Sequence, residues 1–337
     1  MAKYYPFINI SRFFAILLVV FGHTSTFDPI VNAVYSFHVP LFFILSGILF
    51  TPNKSFIEFT KKKFYRLIIP YFIIYVITLL FYILFESRYR DTYVNPQILR
   101  LLPLITGSNQ LGLMGHNVPL WFLPSLFTCE VICNFIVIIF NNKIKSFIAI
   151  LEITIIGYIL STLQVWYLPW GFSQAIVMIL FYYTGFLIKP YLKYLKRNNI
   201  FIISLILSII LFYLLVIDIE RYDVAKGIFP EFYKYIIIST LGAFLIIALS
   251  VLINKNSVIE KIGMGDITLF ILGFHGIFSR ILLTIVKWGG VDGRSNPLVT
   301  ITICIINVIS CYLLYILYKK IKNKFIKGKI HVYRKYL

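Results

Sequence analysis

An arginine and a histidine interrupt the first apolar stretch of the chain. Arg12 and His23 stand at the ends of "RFFAILLVVFGH", with ten residues between them. A histidine has an ordinary pKa near 6.5, so it suits a general base that takes a proton from a weak nucleophile close to neutral pH. An arginine presents a fork of N–H donors that fits a phosphate or a developing oxyanion. The two residue types are therefore candidates for proton transfer and for anion binding.

Helical geometry relates the two side chains. Eleven positions at about 100° each end about 20° past three full turns, with a rise of about 16 Å. Arg12 and His23 should therefore project from one face, and polar groups inside a membrane usually face a protein interior or a water-filled cavity. Two structural alternatives stay open: Arg12 snorkelling to the inner interface, and His23 as a hydrogen-bonded polar residue at the outer interface.

Other polar residues within or beside apolar stretches are further candidates. His38 begins a later apolar stretch, and we expect it to orient His23 or to serve a second proton transfer. For Glu130, a structural pair with Glu152 or with a tyrosine hydroxyl is an equally open role, and His275 also fits a purely structural position. The candidate substrate-binding residues are Trp121, Glu130, His116 and His275.

The composition is that of an integral membrane protein. Of 337 residues, 60% are hydrophobic and 13% charged, whereas soluble domains have about 45–50% and 25%. The apolar residues form ten runs long enough to cross about 30 Å of hydrocarbon as helices. We therefore expect an all-α, polytopic, single-domain membrane protein over residues 1–337, with a basic tail over 319–337. The expected helices are 7–27, 34–50, 67–86, 118–140, 147–166, 171–188, 200–217, 235–253, 267–286 and 298–318.

The charge distribution predicts the orientation. The net charge is +19, which in a soluble protein would suggest nucleic acid. Here 22 of the 32 basic residues fall in segments that share the side of the N-terminus, and 8 fall in the opposite segments. Basic loops concentrate in the cytoplasm, so we expect both termini to be cytoplasmic and no nucleic-acid partner. The four cysteines lie in apolar runs without metal-ligand spacing, so no metal and no disulfide is expected.

Several motifs then occur in a familiar order. Arg12, ten residues and His23 resemble the R-x10-H signature of the acyltransferase-3 family of integral-membrane acyltransferases. Lys63 stands where that family more often has arginine, which keeps the charge but loses the bidentate fork. Four further stretches are similar to family motifs, the last of them to the branch related to fucose 4-O-acetylases: "FHVPLFFILSGILF" (37–50), "KKKFYRLIIPYF" (61–72), "ITLFILGFHGIF" (267–278) and "PLWFLPSLF" (119–127).

This resemblance implies a reaction and a location. The family moves an acyl group, usually acetyl from acetyl-CoA, to a sugar hydroxyl of a surface polysaccharide or its lipid-linked precursor. The implied location is the cell membrane, the cytoplasmic membrane of a bacterium, so that the partners are the lipid bilayer and a carbohydrate acceptor.

The resemblance also implies roles for individual residues. Arg12, Lys63 and Arg66 would bind the acyl donor, although the two loop residues fit ordinary positive-inside bias equally well. His23 would act as a general base for direct attack, or would itself take the acetyl group and relay it; both remain open. A transporter or flippase for a small solute or lipid-linked glycan, and a non-catalytic export subunit, are the alternatives from other classes.

Overall fold

Helices make up the protein. The computed structural model describes residues 5–88, 97–109, 112–163, 165, 168–195, 199–217, 219–253 and 257–335. Its α-helices, in chain order, are α1 Pro6–Thr24, α2 Asp28–Tyr35, α3 His38–Ile48, α4 Phe56–Lys63, α5 Ile69–Phe81, α6 Leu102–Thr106, α7 Phe122–Phe140, α8 Lys143–Thr162, α9 Phe172–Ile188, α10 Asn199–Val216, α11 Phe232–Ile253, α12 Ser257–Ile262, α13 Gly265–Trp288 and α14 Pro297–Lys335.

The helix lengths match a chain that crosses a bilayer many times. Within the described ranges, nine helices are long and apolar enough to span a membrane. A further, shorter apolar helix, Phe201–Val216, corresponds to the seventh expected run. The expected fold class, an all-α polytopic membrane protein, is confirmed.

Several helix bounds differ from those expected. The expected span 34–50 is broken between α2 and α3, where Ser36 Oγ donates to the Ala33 carbonyl and Ser239 Oγ of α11 donates to the Ser36 carbonyl at 2.6 Å. The third span begins earlier, because α4 continues into α5 through a π-helical turn, Phe64–Ile68. The predicted end of the fifth span, Trp166, lies outside the described residues, and α8 ends at Thr162.

Two helices organise the packing. Helix α1 packs against α3, α11, α12, α13 and α14, while α9 packs against α3, α7 and α8. Helix α3 therefore joins the two groups of helices. The α3–α9 contact requires glycine on both sides: a Cβ on Gly47 would lie 1.8 Å from the Tyr182 carbonyl oxygen, and one on Gly185 would lie 2.1 Å from that of Ile44. The glycine of "FFILSG" thus serves helix packing, whereas the adjacent Ser46 faces the cavity described next.

Candidate active site

A cavity of about 490 Å³ lies between α1, α3, the start of α7, α13 and two loops. This volume is within the range of small-molecule sites. Five of the residues singled out in the sequence line its walls together: Arg12, His23, His38, Arg66 and Trp121.

One end of the cavity carries two guanidinium groups. Arg12 Nη1 donates to Asn9 Oδ1 at 3.3 Å, and within the described ranges no carboxylate pairs with Arg66. A Cβ on Gly265 would lie 3.6 Å from Arg12 Nη1, so the guanidinium of Arg12 lies beside the N-terminus of α13. Asp266 also lines this end, and its Oδ2 accepts a hydrogen bond from the Tyr315 hydroxyl. Two cations and a helix N-terminus together favour a bound anion. We call this part of the cavity the arginine end.

The other end carries histidines. His23 belongs to the last turn of α1, and its ring is exposed to the cavity. In the described part of the chain no hydrogen bond engages that ring, so its nitrogens are available to a substrate. The ring of Tyr35 lies 6.3 Å from that of His23 and 5.0 Å from that of His38, measured between centroids. We call this part the histidine end.

The tautomer of His38 follows from its partner. His38 is buried, and its Nδ1 lies 2.8 Å from the Val34 carbonyl oxygen. A carbonyl oxygen only accepts hydrogen bonds, so Nδ1 carries the proton and Nε2 keeps a free lone pair. His38 therefore offers the cavity an acceptor nitrogen in a fixed orientation.

Apolar side chains separate the two ends. Ile16 and Val19 of α1 line the cavity between Arg12 and His23, and Leu67 and Leu269 line it from other helices. The rise along α1 puts the two ends about 16 Å apart. The cavity thus has a cationic end, an apolar middle and a histidine end.

Lys63 and Glu130 lie elsewhere. Lys63 Nζ is 2.8 Å from Glu130 Oε2 on α7, with both side chains largely buried, and neither residue belongs to the cavity wall. The π-helical turn explains why the Arg66 side chain lines the cavity whereas the Lys63 side chain does not. The Ile69 N–H bonds to the carbonyl of Phe64, five residues back, and this wider turn rotates Arg66 away from the Lys63 side. Lys63 was expected to bind the donor together with Arg66, and Glu130 to bind the substrate; in the structure Lys63 and Glu130 instead form an ion pair with each other, away from the cavity wall.

His116 and His275 are also behind the cavity wall. The ring of His116 packs 4.6 Å from that of Tyr75, in a buried cluster of aromatic side chains. The ring of His275 is fully buried 5.7 Å from that of His23, and its Nδ1 donates to the Ile271 carbonyl. His275 is therefore a neighbour of His23 and not a wall residue, and direct substrate contact by either buried histidine is not what the geometry favours.

Some residues of the cavity wall could not be identified as functional candidates from the sequence alone. Tyr35 precedes His38 by three positions, so helical spacing was the available signal. Asp266 opens α13 and follows a glycine at the arginine end. Asp223 comes from a loop that only the tertiary structure brings to the cavity, and polarity was the only signal it gave. No group of three or more histidine, cysteine or acidic side chains arranged for a metal ion occurs among the described residues.

The cavity lies among membrane-spanning helices and combines two arginine side chains with a histidine ring that makes no hydrogen bond within the described residues. The family model of the acyltransferase-3 domain, described as an acyltransferase domain, matches residues 5–316. The chain belongs to this family, and the protein is a membrane acyltransferase. No curated protein and no solved structure matches the chain. The fucose 4-O-acetylase-like branch stays a prediction.

Proposed function

We propose that the protein transfers an acetyl group from cytoplasmic acetyl-CoA to a sugar hydroxyl of a cell-surface polysaccharide or its lipid-linked precursor. The observation that carries this proposal is the single cavity with Arg12 and Arg66 at one end and His23 and His38 at the other. The donor carries phosphates that need cations, and the acceptor carries a hydroxyl that needs a base. The cavity supplies each at a different end.

The arginine end suits the donor. Arg12 and Arg66 have no carboxylate partner among the described residues, so their charges are available to phosphate oxygens. With both termini in the cytoplasm, the arginine end would lie nearer the cytoplasmic side, where acetyl-CoA is made. The pantetheine arm is long and flexible, so the thioester can reach along the apolar middle towards His23 while the phosphates stay at the arginines.

The histidine end suits the transfer step. In the direct route, His23 takes the proton of the acceptor hydroxyl as its oxygen attacks the thioester carbonyl. The tetrahedral oxyanion then collapses, the carbon–sulfur bond breaks, and the thiolate of coenzyme A takes the proton from the imidazolium. In the relay route, His23 attacks the thioester carbonyl, the carbon–sulfur bond breaks, and the thiolate of coenzyme A takes the proton of the acetylimidazolium. The acceptor hydroxyl then attacks the acetylimidazole, and its proton passes to the imidazole nitrogen that the acetyl group leaves. Trp121 and Ser46 also line the cavity and are our candidate donors to the oxyanion.

Lys63 and Glu130 have a structural role in this proposal. Their ion pair joins the helix that carries Arg66 to α7, which carries the cavity wall at Leu123 and Leu126. The pair therefore positions the donor end without touching the donor. His116 packs within the buried aromatic cluster that contains Tyr75, and His275 packs beside the ring of His23.

The test uses purified protein in lipid nanodiscs with acetyl-CoA and a panel of methyl hexopyranosides. Release of the free thiol of coenzyme A is monitored with a colorimetric thiol reagent. The sugar product is detected by mass spectrometry as the acetylated glycoside. We expect acceptor-dependent thiol release by the wild-type protein and none by His23→Ala. If no glycoside increased the thiol release, the proposal of a sugar acceptor would be overturned. Translocation of a lipid-linked glycan into vesicles without any thiol release would favour the flippase.

A further inference from the structure

The loop between α10 and α11 closes the histidine end. Residues 219–231 form this loop, and several helices hold it in place. Asn32 Nδ2 donates to the Ile219 carbonyl at 3.1 Å, and Ser161 Oγ donates to the Gly227 carbonyl at 2.6 Å. Within the loop, backbone hydrogen bonds of 3.0 Å join Asp223 and Ile228 in both directions. The loop is therefore fixed with respect to the cavity.

Four consecutive residues of this loop, 223–226, line the cavity. Their position at the histidine end follows from a chain of contacts. The guanidinium carbon of Arg221 lies 4.0 Å from the ring centroid of Tyr35, which in turn faces His38 and His23. Asp223 is thus a carboxylate close to the histidines, far from the arginine end.

The carboxylate of Asp223 is buried and only partly neutralised. The residue is 8% exposed. Its Oδ1 accepts the Lys226 backbone N–H at 3.3 Å, and its Oδ2 is 3.9 Å from Lys226 Nζ, whose side chain is largely exposed to solvent. Burial raises the pKa of Asp223, while Lys226 and Arg221 act in the opposite direction. A carboxylate can accept about four hydrogen bonds, so Asp223 has acceptor capacity left on the cavity wall.

We propose that Asp223 selects the acceptor: its carboxylate accepts hydrogen bonds from hydroxyl groups of a polyhydroxylated acceptor that are adjacent to the hydroxyl presented to His23. This inference rests on the proposed function. A negative charge here repels the phosphates of the donor, which keeps the donor to the arginine end. A carboxylate also discriminates strongly among hydroxyl-bearing ligands, because a buried acceptor left without its donor is costly.

The experiment compares Asp223→Asn with Asp292→Asn. Asparagine retains the side-chain oxygen that caps the turn, so the loop keeps its shape while the charge is removed. Asp292 provides the matched control, since its Oδ1 likewise accepts a backbone N–H, that of Arg294 at 3.0 Å, on an exposed loop away from the cavity. Each protein is assayed with acetyl-CoA, the best methyl hexopyranoside of the panel, and the monodeoxy analogues of that glycoside.

For Asp223→Asn we expect the KM of the glycoside to rise about tenfold or more, with the KM of acetyl-CoA unchanged, because hydrogen bonds to a charged group are lost. The wild-type protein should reject one or two monodeoxy analogues, and Asp223→Asn should lose most of that discrimination. A role of Asp223 in loop structure alone would not be specific to one hydroxyl position. Asp292→Asn should behave as wild type.

Three results would contradict the role of Asp223, and one of them would also contradict the proposed function. Equal KM values and equal discrimination in Asp223→Asn and the wild type would overturn the role of Asp223 and leave the proposed function standing. Absence of glycoside-dependent thiol release from the wild-type protein would overturn the proposed function, and this inference with it. An Asp223→Asn protein with lower kcat and unchanged glycoside KM would also count against acceptor binding by Asp223.

Discussion

Arg12 and His23 are eleven positions apart on α1 and line opposite ends of the same cavity. The helix itself sets their separation, at about 16 Å. One rigid element therefore fixes how far Arg12 stands from His23. The other helices and the loops bring Arg66, His38 and Trp121 to the same cavity.

Replacing His23 should remove transfer without removing the fold. His23→Ala should lower kcat by about 100-fold or more, since general bases contribute about 10²–10⁴-fold. The ring of His23 is exposed to the cavity and makes no hydrogen bond within the described residues, so the melting temperature should change little. Thiol release and thermal unfolding in the same detergent are the two measurements. Full activity in His23→Ala would remove this residue from the mechanism.

Replacing either arginine of the cavity by lysine should weaken donor binding. Arg12→Lys and Arg66→Lys should each raise the KM of acetyl-CoA about tenfold, because lysine keeps the charge but loses the fork and with it one charged hydrogen bond. Lys62→Gln is the control, since Lys62 is exposed and outside the cavity wall. An unchanged KM in both lysine variants, or an equal rise in the control, would contradict donor binding at this end.

The Lys63–Glu130 pair should matter for stability more than for chemistry. Breaking a buried pair on one side costs about 3–5 kcal/mol, since the other charge stays buried and unpaired. Lys63→Met and Glu130→Gln should therefore each lower the unfolding midpoint strongly, and the double variant should recover much of the loss. Denaturant-induced unfolding in mixed micelles measures the unfolding midpoint of each variant. Strictly additive losses would show that the two side chains do not interact.

Glycine at position 47 should be required by the α3–α9 contact. Gly47→Ala places a Cβ against the backbone oxygen of Tyr182, and the helices must separate. Overpacking of this kind costs about 1–3 kcal/mol. In Gly276→Ala the nearest atom, at 3.2 Å, is the end of the flexible Arg280 side chain, so the same substitution should be tolerated there. Thermal unfolding gives the melting temperatures of Gly47→Ala and Gly276→Ala. Equal melting temperatures would contradict the close approach of α3 and α9 at Gly47.

The orientation of the chain can be tested with cysteine labelling. The four native cysteines are buried, so background labelling is low. Ser295→Cys should react with a membrane-impermeant maleimide on intact cells, whereas Lys62→Cys should react only after the membrane is opened; both positions are exposed. The reverse pattern would place the arginine end outside, away from cytoplasmic acetyl-CoA.

The sequence allowed the fold class and part of the site to be predicted. Composition and run length were sufficient for the membrane helices, and the helical period was sufficient to relate Arg12 to His23. Neither composition nor helical period could show that Lys63 and Arg66 lie in different environments. A π-helical turn has no marker in the sequence, and the partner of Lys63, Glu130, comes from α7. Asp223 reaches the cavity through the packing of a loop, and local pattern carries no such information.

The apolar middle of the cavity has a consequence for the cell. A passage open to both faces of an energised membrane would collapse the membrane potential by leaking ions and protons. Between the two polar ends, Ile16, Val19 and Leu269 carry no polar atom that could replace the hydration shell of an ion, and apolar linings in narrow passages exclude ions by dewetting. An uncharged acetyl thioester meets little such barrier. The side chains that line the proposed path of the acetyl group would therefore also keep ions from crossing the site.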